Sequence, residues 1–136
     1  MRIMQTARED DEQMALMEWA ERSRGRWPEL RLLLHIPNGG SRGVVEAARF
    51  KAMGVKAGVP DLFLPAARCG YHGLWIELKR AKGGRVSPEQ MAWLGALEVQ
   101  GYAAKVCHGW EEAAAALKDY LEGRWKRDEG SDAGRA

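Results

Sequence analysis

The stretch from Gly58 to Lys79 constrains the fold more than any other: Gly58-Val59-Pro60-Asp61-Leu62-Phe63-Leu64, a short polar turn, then Gly73-Leu74-Trp75-Ile76-Glu77-Leu78-Lys79. Two short apolar runs joined by a turn read as a β-hairpin. Side chains alternate along a strand, so Glu77 and Lys79 share one face while Leu74, Ile76 and Leu78 enter a core. If the two strands pair, Asp61 lies across from Glu77, and two carboxylates with an ammonium beside them converge on one spot. Like charges so placed repel unless a cation sits between them, and a hard-oxygen donor set suits Mg²⁺ or Mn²⁺. The structural alternative is a surface salt bridge among three strand residues.

Around this hairpin the periodicity predicts a mixed α/β chain. Met14, Leu16, Met17, Trp19 and Ala20 favour a helix over 8–23, preceded by acids that suit its positive end. Residues 31–36 read as a short apolar strand stopped by Pro37-Asn38-Gly39-Gly40, with His35 as a core histidine. A helix over 44–53 closes at Gly54. Strands follow over 62–65 and 74–79, joined around 68–71. Ser87-Pro88-Glu89-Gln90 supplies an N-cap, a first-turn proline and an early acid for a helix to about Gln100. Gly101 ends it, 102–107 is a last strand and 111–121 a last helix. The order is α-β-α-β-β-α-β-α, a mixed sheet with helices on its faces. Residues 122–136 carry charges and few apolar groups and are expected to be a flexible tail.

At 136 residues the chain is long enough for one core and one domain. Its formal charge of +2 rules out a general polycation. The bases are nonetheless grouped: Arg22, Arg24, Arg26 and Arg31; Arg42, Arg49, Lys51 and Lys56; Lys79, Arg80, Lys82 and Arg85. Basic runs flanking an acidic site suit a phosphate-backbone binder, although each run alone could be a solvated face. Cys69 and Cys107 have no zinc spacing and form no disulfide framework, so they are read as reduced. No stretch reaches 18 apolar residues and the amino terminus lacks a signal-peptide core, so a cytoplasmic protein with no membrane partner is expected.

Four motifs, in order, resemble the VRR-NUC branch of the PD-(D/E)XK nucleases, and within it the stand-alone phage and prophage type. They are His35-Ile36-Pro37-Asn38-Gly39-Gly40, the run from Lys51 to Leu62, Ile76-Glu77-Leu78-Lys79-Arg80, and the run from Gly84 to Gln90. The likeness extends from about residue 9 to 121. It implies a restriction-endonuclease-like sheet in a nuclease domain over 1–121, a Mg²⁺ or Mn²⁺ cofactor, and DNA as partner. Asp61 and Glu77 are then metal ligands with the Leu78 carbonyl a third, and Lys79 orients the water or stabilises developing charge. The family also carries a Glu in its first helix. Glu9 shares a helix face with Gln13 and is taken first for that ligand, Glu12 second; an acidic helix start that only complements the dipole is the alternative. Gln90 matches a recurrent family glutamine near the metal water or the phosphate, or is an ordinary polar helix residue. Asn38, Arg42, Lys56, Arg80, Lys82 and Arg85 are the expected DNA contacts.

The expected activity is a metal-dependent DNA endonuclease, selective by shape for branched DNA such as four-way (Holliday) junctions and working as a homodimer. Trp19, Trp93 and Trp110 offer surface for that contact. The alternatives are a general nicking or flap nuclease and a catalytically idle DNA-binding phage accessory protein.

Overall fold

The computed structural model describes residues 2–37 and 43–126, with side chains from Glu9 onward. The eight elements are α1 (Arg2–Arg22), β1 (Leu34–His35), α2 (Val44–Ala52), β2 (Leu62–Leu64), β3 (Leu74–Lys79), α3 (Pro88–Val99), β4 (Ala103–His108) and α4 (Trp110–Leu121). Their order is the one read from the periodicity. Among the described residues no helix is long and apolar enough to cross a membrane.

The strands form one sheet in the order β1-β2-β3-β4. The pairs β1–β2 and β2–β3 are antiparallel, and β3–β4 is parallel, joined across α3. Leu62, Leu64, Leu74, Ile76, Leu78, Ala103 and Cys107 line one face and are buried with Leu16 and Ala20 of α1 and Ala113, Leu117 and Tyr120 of α4. Asp61, Phe63, Trp75, Glu77 and Lys79 alternate onto the other face. There Phe63 stacks on Trp75 at 4.2 Å between ring centroids, with Tyr102 edge-on to both.

One expectation needs correction. The run over 31–36 is not one strand: a 3₁₀ turn takes Pro28–Leu32 and only Leu34 and His35 pair. Pro28 opens that turn as a first-position proline would. His35 therefore stands on an exposed edge strand and is not a core histidine. At the start of the 122–136 segment Trp125 packs edge-on to Tyr120, and residues 127–136 lie outside the described residues. The Tyr120 hydroxyl donates to the Ala66 carbonyl at 2.6 Å and accepts from the Arg68 amide at 3.2 Å, which ties α4 to the β2–β3 connection.

Candidate active site

The β2–β3 register, Leu62 opposite Ile76, continues outward to place Asp61 opposite Glu77 and Pro60 opposite Leu78. Alternate residues of β3 bond to opposite neighbours: the Gly73 and Lys79 carbonyls accept from Ala103 and Gly109 on the β4 side. The amide and carbonyl of Leu78 therefore face β2, where Pro60 has no N–H to offer. The ladder bond to the Leu78 carbonyl cannot form, and the Leu78 amide donates instead to Asp61 Oδ2 at 2.8 Å. Proline at this position opens the ladder where a carbonyl and a carboxylate are needed together. The Asp61 carbonyl is held on the other side by the Ile36 amide at 2.7 Å, with His35 Nδ1 at 3.1 Å.

Glu77 and Lys79 are buried, with 2% and 6% of their surface exposed. Lys79 Nζ lies 3.3 Å from Glu77 Oε2, and Glu77 Oε1 is buried with no hydrogen-bond partner. Burial pushes the Asp61 carboxyl above the usual carboxylate range. Glu77 is pushed up to about 8, first by burial and then by the negative charge of Asp61, against the opposing pull of Lys79. One proton shared between the two carboxyls relieves their repulsion. An orphaned buried oxygen, a second carboxylate beside it and a carbonyl freed by Pro60 form a hard-oxygen set that fits a divalent cation, which would relieve the same repulsion.

Gln90 joins this group from α3. Its Oε1 accepts from Lys79 Nζ at 2.9 Å and from the Ser87 amide at 2.8 Å, and its Nε2 donates to Glu77 Oε2 at 3.0 Å. It is also the third residue of a capping box, its amide donating to Ser87 Oγ at 3.1 Å. Ser87 is thus a site residue that its motif announced only as a helix start. Two glycines set the depth of the site. Gly58, at φ +91°, lies so close to α3 that a Cβ would come within 2.7 Å of the Glu89 carbonyl carbon, and a Cβ at Gly84 would meet that of Lys79 at 2.9 Å.

The first-helix acids separate. Glu12 Oε1 accepts from the Trp110 amide at 2.9 Å and so caps α4, whose own N-cap, Gly109 at φ +88°, has no side chain to do so. Such a cap is worth about 1 kcal/mol. Glu9 is half-buried on the stripe that continues through Gln13, Leu16 and Ala20, and Gln13 Nε2 is buried with no hydrogen-bond partner. Among the described residues no group of three or more His, Cys, Asp or Glu side chains is placed to hold a metal, so Glu9 is not brought together with Asp61 and Glu77.

Of the expected DNA contacts, Lys56, Lys82 and Arg85 are exposed and Arg80 is half-buried, its guanidinium donating to the Gly83 carbonyl at 3.3 Å. Arg80 and Lys82 share a groove of about 500 Å³ with Asp11, Glu12 and Trp110, whose lining includes neither Asp61 nor Glu77. Asn38 and Arg42 lie outside the described residues.

Comparison with known proteins identifies the family and the fold. The profile of the VRR-NUC domain matches residues 2–111. A solved structure described as a VRR_NUC domain protein superposes with a TM-score of 0.73 at 37% sequence identity, covering 85% of this chain and 88% of that one. No protein of curated function matches.

Proposed function

Because the chain belongs to the VRR-NUC domain family, a family of nuclease domains, we propose that it is a metal-dependent DNA endonuclease of the PD-(D/E)XK kind that cuts branched DNA. The observation that carries this reading is the convergence of Asp61, Glu77 and Lys79 around a buried carboxylate oxygen without a partner. Asp61, Glu77 and the Leu78 carbonyl would hold a Mg²⁺ or Mn²⁺ ion, which when bound supplies charge relief at the scissile phosphate and lowers the pKa of water. Lys79, fixed by Gln90 and Glu77, presents an ammonium where negative charge develops on the phosphate. Of the first-helix acids, Glu9, one turn from Gln13, is taken as the further ligand, because the Glu12 carboxylate is engaged by the Trp110 amide.

The exposed bases after β3 hold the phosphate backbone. Replacing Lys82 and Arg85 by Ala should weaken DNA binding and flatten its salt dependence by about one unit of slope for each phosphate no longer neutralised, with turnover of bound substrate unchanged. An unaltered slope in binding titrations between low and moderate salt would remove them from the interface.

Paired cuts across a junction need two sites, hence two copies. The apolar surface for that contact is on α2, not on the tryptophans first expected: Trp19 and Trp110 pack against the core, and Trp93 is half-buried. Helix α2 buries none of its side chains, and Val44, Val45, Met53 and Val55 are 87%, 84%, 67% and 47% exposed. Exposed apolar side chains on and beside this helix suit a contact with a second copy. Val45→Asp should convert a dimer into a monomer of 15.2 kDa by light scattering and replace paired junction cuts by single nicks. Labelled four-way junction, flap, nicked and linear duplex DNA, each with Mg²⁺ or Mn²⁺, test the reading as a whole. Equal cutting of all four would reduce it to a general nuclease, and no cutting of any would remove it.

A further inference from the structure

The first turn of α3 touches Lys79, Glu77 and the loop that leads into Asp61. Gln90 bonds Lys79 and Glu77 directly. Glu89 is the surface on which Gly58 seats the loop leading into Asp61, with no room for a Cβ between them. We propose that Ser87 is a positioning residue: by starting α3 where it does, it holds the Gln90 amide in the one orientation that serves Lys79 and Glu77 together.

An amide oxygen has two lone pairs, and both on Gln90 are taken, by the Ser87 amide at 2.8 Å and by Lys79 Nζ at 2.9 Å. A flipped amide would set its NH₂ against those two donors and its carbonyl against the Glu77 carboxylate. The Ser87 N–H, with Lys79 and Glu77, therefore fixes which way the side-chain amide points. That N–H is itself held in place. Pro88 restricts the residue before it to extended backbone, and Ser87 has φ −75° and ψ 161°. Ser87 Oγ closes the ring by accepting the Gln90 amide at 3.1 Å. Lys79 has little freedom to compensate if Gln90 turns, because its stem lies under Gly84 and its side chain is almost wholly buried. A cap that elsewhere only begins a helix here sets the hydrogen-bond polarity of the site.

The catalytic consequence rests on the endonuclease reading; the geometry does not, so the test has arms of both kinds. Ser87→Ala is compared with Ser87→Thr, which keeps the cap hydroxyl, and with Leu94→Val, which loosens α3 without touching the site. All are measured at a temperature at which circular dichroism shows each variant folded. In Ser87→Ala, kcat should fall roughly three- to tenfold, the equilibrium weight of a helix N-cap, with KM unchanged. Mn²⁺ affinity by electron paramagnetic resonance should weaken by a similar factor, and the Gln90 side-chain NH₂ should exchange faster in ¹H–¹⁵N spectra. Ser87→Thr should restore all three, and Leu94→Val should move none. Wild-type kcat, Mn²⁺ affinity and Gln90 exchange in Ser87→Ala, beside a loss of melting temperature like that of Leu94→Val, would reduce Ser87 to an ordinary helix cap and overturn the proposal. If the wild type cuts no DNA, the endonuclease reading fails, and Mn²⁺ affinity and Gln90 exchange alone decide the role of Ser87.

Discussion

Asp61→Asn should abolish metal-dependent cleavage, lowering turnover by at least about 10²-fold, while the affinity for DNA stays within error of the wild type. Asparagine keeps the size of the side chain and an oxygen that can accept from the Leu78 amide, so the end of the β2–β3 ladder survives. What it loses is the charge that, with Glu77, makes the site attractive to a divalent cation. The bases after β3 are untouched, so backbone binding persists. Cleavage assays with Mg²⁺ and Mn²⁺ beside electrophoretic binding titrations separate the two effects. Cleavage at the wild-type rate would show that the Asp61–Glu77 pair is not the catalytic centre.

Glu77→Gln should be inactive as well, yet more stable than the wild type in EDTA above about pH 8. The folded state raises Glu77 from 4.5 to about 8. Below the lower value both folded and unfolded chains hold the proton and stability does not respond to it. Between the two values the unfolded chain has ionised while the folded one has not, so unfolding releases a proton and stability falls as pH rises. Above the upper value the whole loss is present, on the order of a few kcal/mol for a buried carboxyl coupled to a neighbour. Glutamine never ionises and can still accept from Gln90 Nε2 through its own amide oxygen, which removes this penalty. Thermal melts in EDTA at pH 5, 7 and 8.5 should slope downward for the wild type and run flatter for the variant. Added Mn²⁺ should restore the wild type most at the highest pH and leave Glu77→Gln unmoved. Parallel slopes for the two proteins would contradict the raised acid. Diverging slopes would place the site among those that give up stability for function.

Much of this was legible before any fold was known. Hairpin alternation put Asp61, Glu77 and Lys79 on one face, because a one-residue slip would turn Leu62, Leu64, Leu74, Ile76 and Leu78 out of the core; the pairing of the strands then set Leu62 opposite Ile76. Ser87-Pro88-Glu89-Gln90 announced the start of α3, since a cap is a local matter of one hydroxyl and one proline. These signals lie within a few residues of the groups they position. The 3₁₀ turn at Pro28–Leu32 was hidden because its apolar residues match a strand equally well, and only their packing chooses.

Tertiary structure decided what depended on partners distant in sequence. The spacing to Gln13 put Glu9 ahead of Glu12, but only the fold shows that the bare N-terminus of α4, 98 residues beyond Glu12, takes the Glu12 carboxylate as its cap. Gln90 stood between an ordinary polar helix residue and the recurrent family glutamine, and only the packing of α3 brought its side-chain amide to Lys79 and Glu77 together. The tryptophans could have served core or interface, and packing against the core partly buried Trp19 and Trp110 while α2 buries none of its residues. The chain by itself determined which residues share a face, because strand and helix periods are local. Which faces meet, and so which polar groups find a partner in a place without water, is set by the contacts of the whole fold.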